Sequence, residues 1–271
     1  VRTSGNDFGV TQKEIFGEEI PINAVAGDQQ ASLFGHGCNS IGQVKNTYGT
    51  GCFILAFAGD TAPDNIDGIL TSVAARNSHE TRTYVIEGSV FMAGAAVQWL
   101  RDGLKLINSA EATDKIALNL EDSGGVVVVP AFTGLGSPYW DEGARGAIFG
   151  LTRASDGSHL IRATLESIAH QSADVIDAFD EGNFSVSELN VDGGAAANDW
   201  LMQQQANILN LPVLRSAVLE NTSRGVAALA ALESNLIEKW PISEVEKDYF
   251  LPMWTEDERL RSRDRWQRAV K

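Results

Sequence analysis

The stretch Asn46-Thr-Tyr-Gly-Thr-Gly-Cys-Phe53 organises the reading of this chain. β-Branched and aromatic residues stand on both sides of Gly49-Thr50-Gly51, so 43–50 and 51–58 read as two strands joined by a tight turn. Upstream lies AVAGDQQASLFG (Ala24–Gly35), read as a short buried strand over Ile22–Ala26, then Asp28, then a helix from Gln29 to Gly35. Downstream, VDGGAAANDWLMQ (Val191–Gln203) reads as a strand, a diglycine turn and a helix.

The remainder alternates in the same way. Ser72–Asn77 and Thr83–Val90 read as strands, and 91–107 has helical spacing through Val97, Leu100, Leu104 and Ile107. A second helix is expected over 109–120. The valine run in 125–132 predicts a strand covered on both faces, followed by a Gly/Pro/aromatic loop over 133–145 and a strand over 147–151. Ile161, Leu165, Ile168, Ala169, Ser172, Ile176 and Phe179 share one face of a long helix. Strands at 188–191 and 212–214, helices at 198–209 and 222–236, and a charged surface helix at 256–270 complete the pattern. A strand pair followed by strands alternating with helices predicts an α/β domain, with a mixed β-sheet flanked by helices.

Composition narrows the function. The 271 residues carry a net charge of −15. Nucleic acid and anionic membrane surfaces both need basic patches, so neither is an expected partner. No apolar run approaches the roughly 20 residues of a membrane span. Two cysteines make neither a disulfide framework nor a metal cluster, so a reducing, cytoplasmic setting and no protein metal site are expected. The four histidines have no metal-ligand spacing and read as structural or solvated. The chain opens on Val1, and the polar, Gly-containing residues 1–19 read as a lead-in from something upstream, with the domain proper over 20–271.

Three segments carry chemistry. Asp28, just past the expected strand, is placed either to take a proton or to cap the helix that follows. Gln29 beside it could bond a second hydroxyl. Thr50 between glycines is either a hairpin tip or a polyphosphate contact, because glycines let backbone approach a phosphate closely. Gly94 and Gln98 share a helix face, which suits helix packing as well as a ligand. A helix start reached through Gly193-Gly194 is a natural anion site; dinucleotide binding lacks the GxGxxG pattern there. A proton-accepting carboxylate with two phosphate-cradling turns is what phosphoryl transfer to an alcohol needs.

Taken together, GDQQ (Gly27–Gln30), NTYGTGCF and VDGGAAAN resemble the C-terminal half of the glycerol kinases, in the carbohydrate-kinase branch of the RNase-H/actin-like ATPases. The likeness runs from about Ile20 to Leu236. It implies Asp28 as general base and glycerol contact, with Gln29 and Phe53 completing the glycerol site. It implies Thr50 at the γ-phosphate, Gly94 and Gln98 beside the nucleotide, Gly194 at the α-phosphate and Asn198 near base or ribose. ATP with Mg²⁺, the metal held mainly by the N-terminal lobe of the same enzyme, would complete the reaction. The lobe alone is expected to lack turnover, and the family's dimers and tetramers make a homo-oligomer conceivable. The resemblance departs at Phe16-Gly17-Glu18-Glu19, where some bacterial members carry a Gly-Gly-Thr-Arg loop for a sugar bisphosphate inhibitor. It departs again at Asn221–Val226, where Arg224 either alters the adenine surroundings or faces solvent. Alternatives are a kinase of the same fold acting on another polyol or a ketose, and a non-catalytic nucleotide-binding scaffold.

Overall fold

The computed structural model describes residues 1–218, 220–239 and 246–271. In chain order its elements are α1 (Lys13–Phe16), α2 (Asp28–His36), β1 (Gln43–Tyr48), β2 (Cys52–Gly59), β3 (Leu70–Val73) and β4 (Tyr84–Val90). Then come α3 (Gly94–Gln98), which runs straight into a π-helical turn (Trp99–Gly103), and α4 (Ala112–Leu118). β5 (Val127–Val129), β6 (Ala147–Phe149), α5 (Gly157–Glu181) and β7 (Glu188–Asp192) follow. A 3₁₀ turn (Gly194–Ala197), α6 (Asp199–Leu209), β8 (Val213–Ser216), α7 (Asn221–Glu233), β9 (Lys247–Phe250) and α8 (Glu256–Val270) close the chain.

Seven strands form one mixed sheet in the order β3-β4-β2-β1-β7-β8-β9. β1, β7 and β8 are parallel neighbours, and the remaining pairings are antiparallel. Alternation along the strands assigns the two faces. Val44, Tyr48, Ile54, Ala56, Ile86 and Val90 pack with Leu165, Ile168 and Phe179 of α5 and Leu201 of α6 in the main core. Leu55 and Val85, one residue out of step, join Leu33 of α2 on the opposite face. β2, third of the seven strands, is therefore apolar on both sides over Ile54–Ala56. α7 packs over α2.

Two sequence expectations need correction, and the structure adds two features beside them. Ile22–Ala26 is not a sheet strand: Ile22 and Asn23 hydrogen-bond the backbone of Phe8, Gly9 and Asn6, so this segment pairs with residues before Ile20. The valine run is a strand covered on both faces, as its sequence reads, and it lies in a separate two-stranded ribbon with β6 rather than in the main sheet. Its two faces are covered by helices: Val128 meets Ala163 of α5, while Val129 meets Trp266 of α8. α8 is not a purely surface helix. Trp266 is buried, its Nε1 donates to Asp174 Oδ2 at 2.7 Å, and Arg263 donates to the other oxygen at 2.6 Å. Finally, β9 is an edge strand with half-exposed polar residues, and its sequence, Lys-Asp-Tyr-Phe, carries no alternation to reveal it.

Candidate active site

The Gly49–Gly51 turn is built into its surroundings through backbone. Gly94 N donates to Gly49 O at 3.0 Å, while Ala93 N and Ala95 N both donate to Thr50 O. A Cβ on Gly94 would sit 2.5 Å from Gly49 O, and one on Gly51 would sit 2.1 Å from Val90 O. Both glycines are thus required by close backbone approach, which leaves the Thr50 side chain exposed at the tip. At the second turn, Gly193 has φ +88°, and a Cβ there would sit 2.5 Å from Tyr48 O, which excludes a side chain. Gly194 is different: a Cβ there would meet nothing within 4 Å.

That open space belongs to a cavity of ≈ 540 Å³ between β1, α3, α4 and the start of α6. Thr50, Gly94, Gln98, Gly194 and Asn198, spread over most of the chain, all line it. Its volume is in the range of small-molecule sites. Four charged side chains absent from the sequence reading, Arg101, Glu111, Asp114 and Asp199, line it as well. The start of α6, past the 3₁₀ turn, is already capped, however. Two amides in the first turn of α6 are taken by the chain's own side chains, Leu201 N by Asn198 Oδ1 (2.8 Å) and Trp200 N by Asp114 Oδ1 (2.9 Å). Asn198 also donates to Thr113 Oγ1 at 3.0 Å, tying α4 to α6. Losing that cap in Asn198→Ala is expected to cost about 1–2 kcal/mol, read as a lower melting temperature. An unchanged melting temperature would remove the capping role.

Asp28, Gln29 and Phe53 do not line that cavity. They lie on the other face of the sheet, Asp28 and Gln29 in α2 itself and Phe53 on β2. Asp28 is the first residue of α2 and accepts from Gln29 N at 2.8 Å, with Gly27 as the N-cap. It begins a helix that crosses the sheet: Gln30 Nε2 reaches Ser72 of β3, and His36 Nε2 lies 3.1 Å from Asp192 of β7. Burial holds His36 below the usual histidine range against the pull of Asp192. Phe53 is 39% exposed and pairs across the sheet with Thr47, so both sit on this α2 face. The turn at Gly49–Gly51 connects the two faces, because it joins Thr47 and Tyr48 to Cys52 and Phe53.

Between α2 and the sheet lies a residue the sequence reading passed over. Lys45 is fully buried, and its Nζ donates to Gln29 Oε1 and to Thr47 Oγ1. Burial pushes its pKa down to about 8 against the attraction of Asp192 and Asp28. Lys45 keeps its proton in the unfolded chain up to about 10.5 and in the folded one up to about 8. Between those values the unfolded state binds more protons, so this group's contribution to stability rises with pH. Relative to Lys45→Met, the wild type is expected to gain about 2 kcal/mol between about pH 7 and pH 9.5. Urea unfolding of both proteins at the two pH values measures it; a constant difference would contradict the burial cost.

Arg224, on α7, reaches Gly35 O of α2 and is not among the residues lining the nucleotide-sized cavity. Trp140 of the aromatic loop donates to Gly68 O at 2.7 Å and packs edge-on to Phe91, as a packing role requires.

The C-terminal domain of the FGGY family of carbohydrate kinases matches residues 44–234. The chain belongs to that family. Curated glycerol kinases from Petrotoga mobilis (47% identical) and Caldanaerobacter subterraneus (48%) match the whole chain, which spans 55% of each of them. Glycerol kinase from Plasmodium falciparum, solved with ADP, superposes with a TM-score of 0.90 at 31% identity, covering 99% of this chain and 55% of that one. Xylulose kinase from Rhodospirillum rubrum, 20% identical, shares the fold with a TM-score of 0.81 over 100% of this chain and 55% of that one. The FGGY chain described here is therefore similar to the C-terminal half of longer kinases, with the mixed, helix-flanked sheet of the sugar-kinase branch of the actin-like ATPases. None of its described helices is long and apolar enough to cross a membrane.

Proposed function

We propose that this chain is the C-terminal lobe of an ATP-dependent glycerol kinase. It moves the γ-phosphate of ATP to a primary hydroxyl of glycerol, giving glycerol 3-phosphate. The observation that carries the reading is the convergence of Thr50, Gly94, Gln98, Gly194 and Asn198 on one cavity that is open at Gly194. On the other face of the sheet, joined to the cavity over the Gly49–Gly51 turn, Asp28 and Phe53 stand exposed. In this reading the cavity holds adenosine and the inner phosphates, and Thr50 meets the γ-phosphate at the turn. Asp28 accepts the proton of the attacking hydroxyl, Gln29 bonds a neighbouring hydroxyl, and Phe53 packs on the carbon chain.

Among the described residues, no three His, Cys, Asp or Glu side chains converge to hold a metal. Mg²⁺ keeps most of its waters and binds phosphates, so in this reading it travels on the nucleotide and is positioned by the other lobe. That lobe also supplies the first phosphate loop and closes the cleft against water. The lobe alone is then inert. ATP chemistry and the free, buried thiols of Cys38 and Cys52 suit a cytoplasmic location.

The test is glycerol-dependent ADP release by the intact two-lobe protein, with other polyols and ketoses alongside. Turnover with glycerol supports the assignment. Turnover only with another alcohol keeps the mechanism and changes the substrate. Nucleotide binding without any alcohol-dependent turnover would favour a scaffold.

A further inference from the structure

Lysine is seldom fully buried unless it is paired, because an ammonium stripped of water is costly. Lys45 is nonetheless 0% exposed in the middle of β1. β1 alternates: Asn46 and Tyr48 point towards α5 and α6, where they bond Ser172 and Gln205. Lys45 and Thr47 point towards α2. There the ammonium meets the Gln29 side-chain oxygen and the Thr47 hydroxyl. Asp28 and His36 of α2, Cys38 just after it, Asp192 of β7 and Glu87 of β4 are the other titratable groups around it. Leu55 lies between Lys45 and Glu87 in the register, so all three share the α2 face.

The chemistry of the pair has one consequence for the substrate. An ammonium has three donors and no acceptor, so only the oxygen end of an amide can face it. Gln29 is half-buried and follows the exposed Asp28 directly. We propose that Lys45 is a positioning residue for the alcohol subsite: it holds the oxygen of Gln29, so that the Gln29 NH₂ faces the substrate as a donor beside Asp28 as an acceptor. The inference rests on the alcohol-phosphorylating reading above. A hydroxyl that gives its proton to Asp28 and a neighbouring hydroxyl oxygen that accepts from Gln29 then see opposite polarity, which fixes the orientation of a vicinal diol. Lys45 touches no substrate and acts through Gln29. The alcohol subsite and the nucleotide cavity lie on opposite faces of the sheet, so Lys45 affects one and not the other.

A double-mutant cycle in the intact two-lobe protein tests this. Lys45→Met is expected to lower kcat/KM for the alcohol by about 10- to 100-fold, as loss of substrate orientation does. Its KM for ATP should stay within about twofold. In a Gln29→Ala background the same substitution should cost less than about threefold, because residues that act through one another are not additive. Equal losses in both backgrounds, or a rise confined to the KM for ATP, would overturn the proposal. A second readout needs no turnover. The side-chain amide resonance of Gln29 should move as the pH crosses about 8, where Lys45 releases its proton, and should not move there in Lys45→Met. A Gln29 amide indifferent to Lys45 sinks the inference even if the enzyme phosphorylates glycerol. If the amide responds but no alcohol is phosphorylated, the pairing stands and the function proposed above fails.

Discussion

Asp28→Asn in the intact two-lobe protein is expected to reduce glycerol-dependent turnover by about 10²- to 10⁴-fold, the usual contribution of a positioned general base. The replacement has the same shape and keeps an oxygen for the hydrogen bond now donated by Gln29 N to Asp28 Oδ1. It removes only the capacity to take a proton and the charge at the start of α2. That charge is worth about 0.3–1 kcal/mol through the helix dipole, a small loss for an exposed residue. Asp28 also lies outside the cavity assigned to nucleotide. Melting temperature and ATP affinity should therefore stay near wild type while kcat collapses. If kcat were unchanged, Asp28 would serve the helix alone, and the alcohol would have to lose its proton elsewhere.

Gly225→Ala is expected to lower stability by about 3 kcal/mol, at the upper end of ordinary overpacking, and to lower kcat with it. α2 and α7 touch through backbone: a Cβ on Gly225 would lie 1.9 Å from Ala31 O, and one on Gly35 would lie 2.1 Å from Asn221 O. Two effects compete. Alanine is favoured over glycine inside a helix by about 1 kcal/mol, which would stabilise. The contact wins, since a carbonyl fixed in a helix cannot yield without moving the whole of α2. Because α2 carries Asp28 and Gln29, the strain reaches the site. The signature is a lower melting temperature with lower kcat, unlike Asp28→Asn, which loses kcat alone. A melting temperature at or above wild type would mean that the helices separate freely.

The features legible in the sequence are those decided by neighbours along the chain. The 43–58 hairpin follows from its glycine turn and flanking β-branched residues, and α5 from a 3.6-residue repeat sustained for 25 residues. The five residues expected at the nucleotide were found through turns and motif resemblance, and they line one cavity. Four features escaped. Ile22–Ala26 has a strand's composition, but its partner is the segment before Ile20 rather than the sheet. The valine run is the strand covered on both faces that it reads as, but nothing in it shows that it pairs only with β6 in a separate ribbon. Arg263 and Trp266 read as surface in a charged helix, and they are buried because Asp174 of α5 waits for them. The carboxylates lining the cavity, Asp114 among them, belong to no motif that would mark them.

By itself the sequence determined the local conformations, the two glycine turns and the residue types able to hold phosphate and take a proton. Those depend on dihedral freedom and side-chain chemistry, which each short segment carries with it. Only the tertiary structure decided that Asp28, Gln29 and Phe53, proposed for the alcohol, and the cavity proposed for the nucleotide occupy opposite faces of one sheet, joined over the Gly49–Gly51 turn. It alone also placed Lys45 out of water against Gln29. Burial of a charge is set by partners that arrive from α2, β4 and β7, and no pattern within β1 announces them.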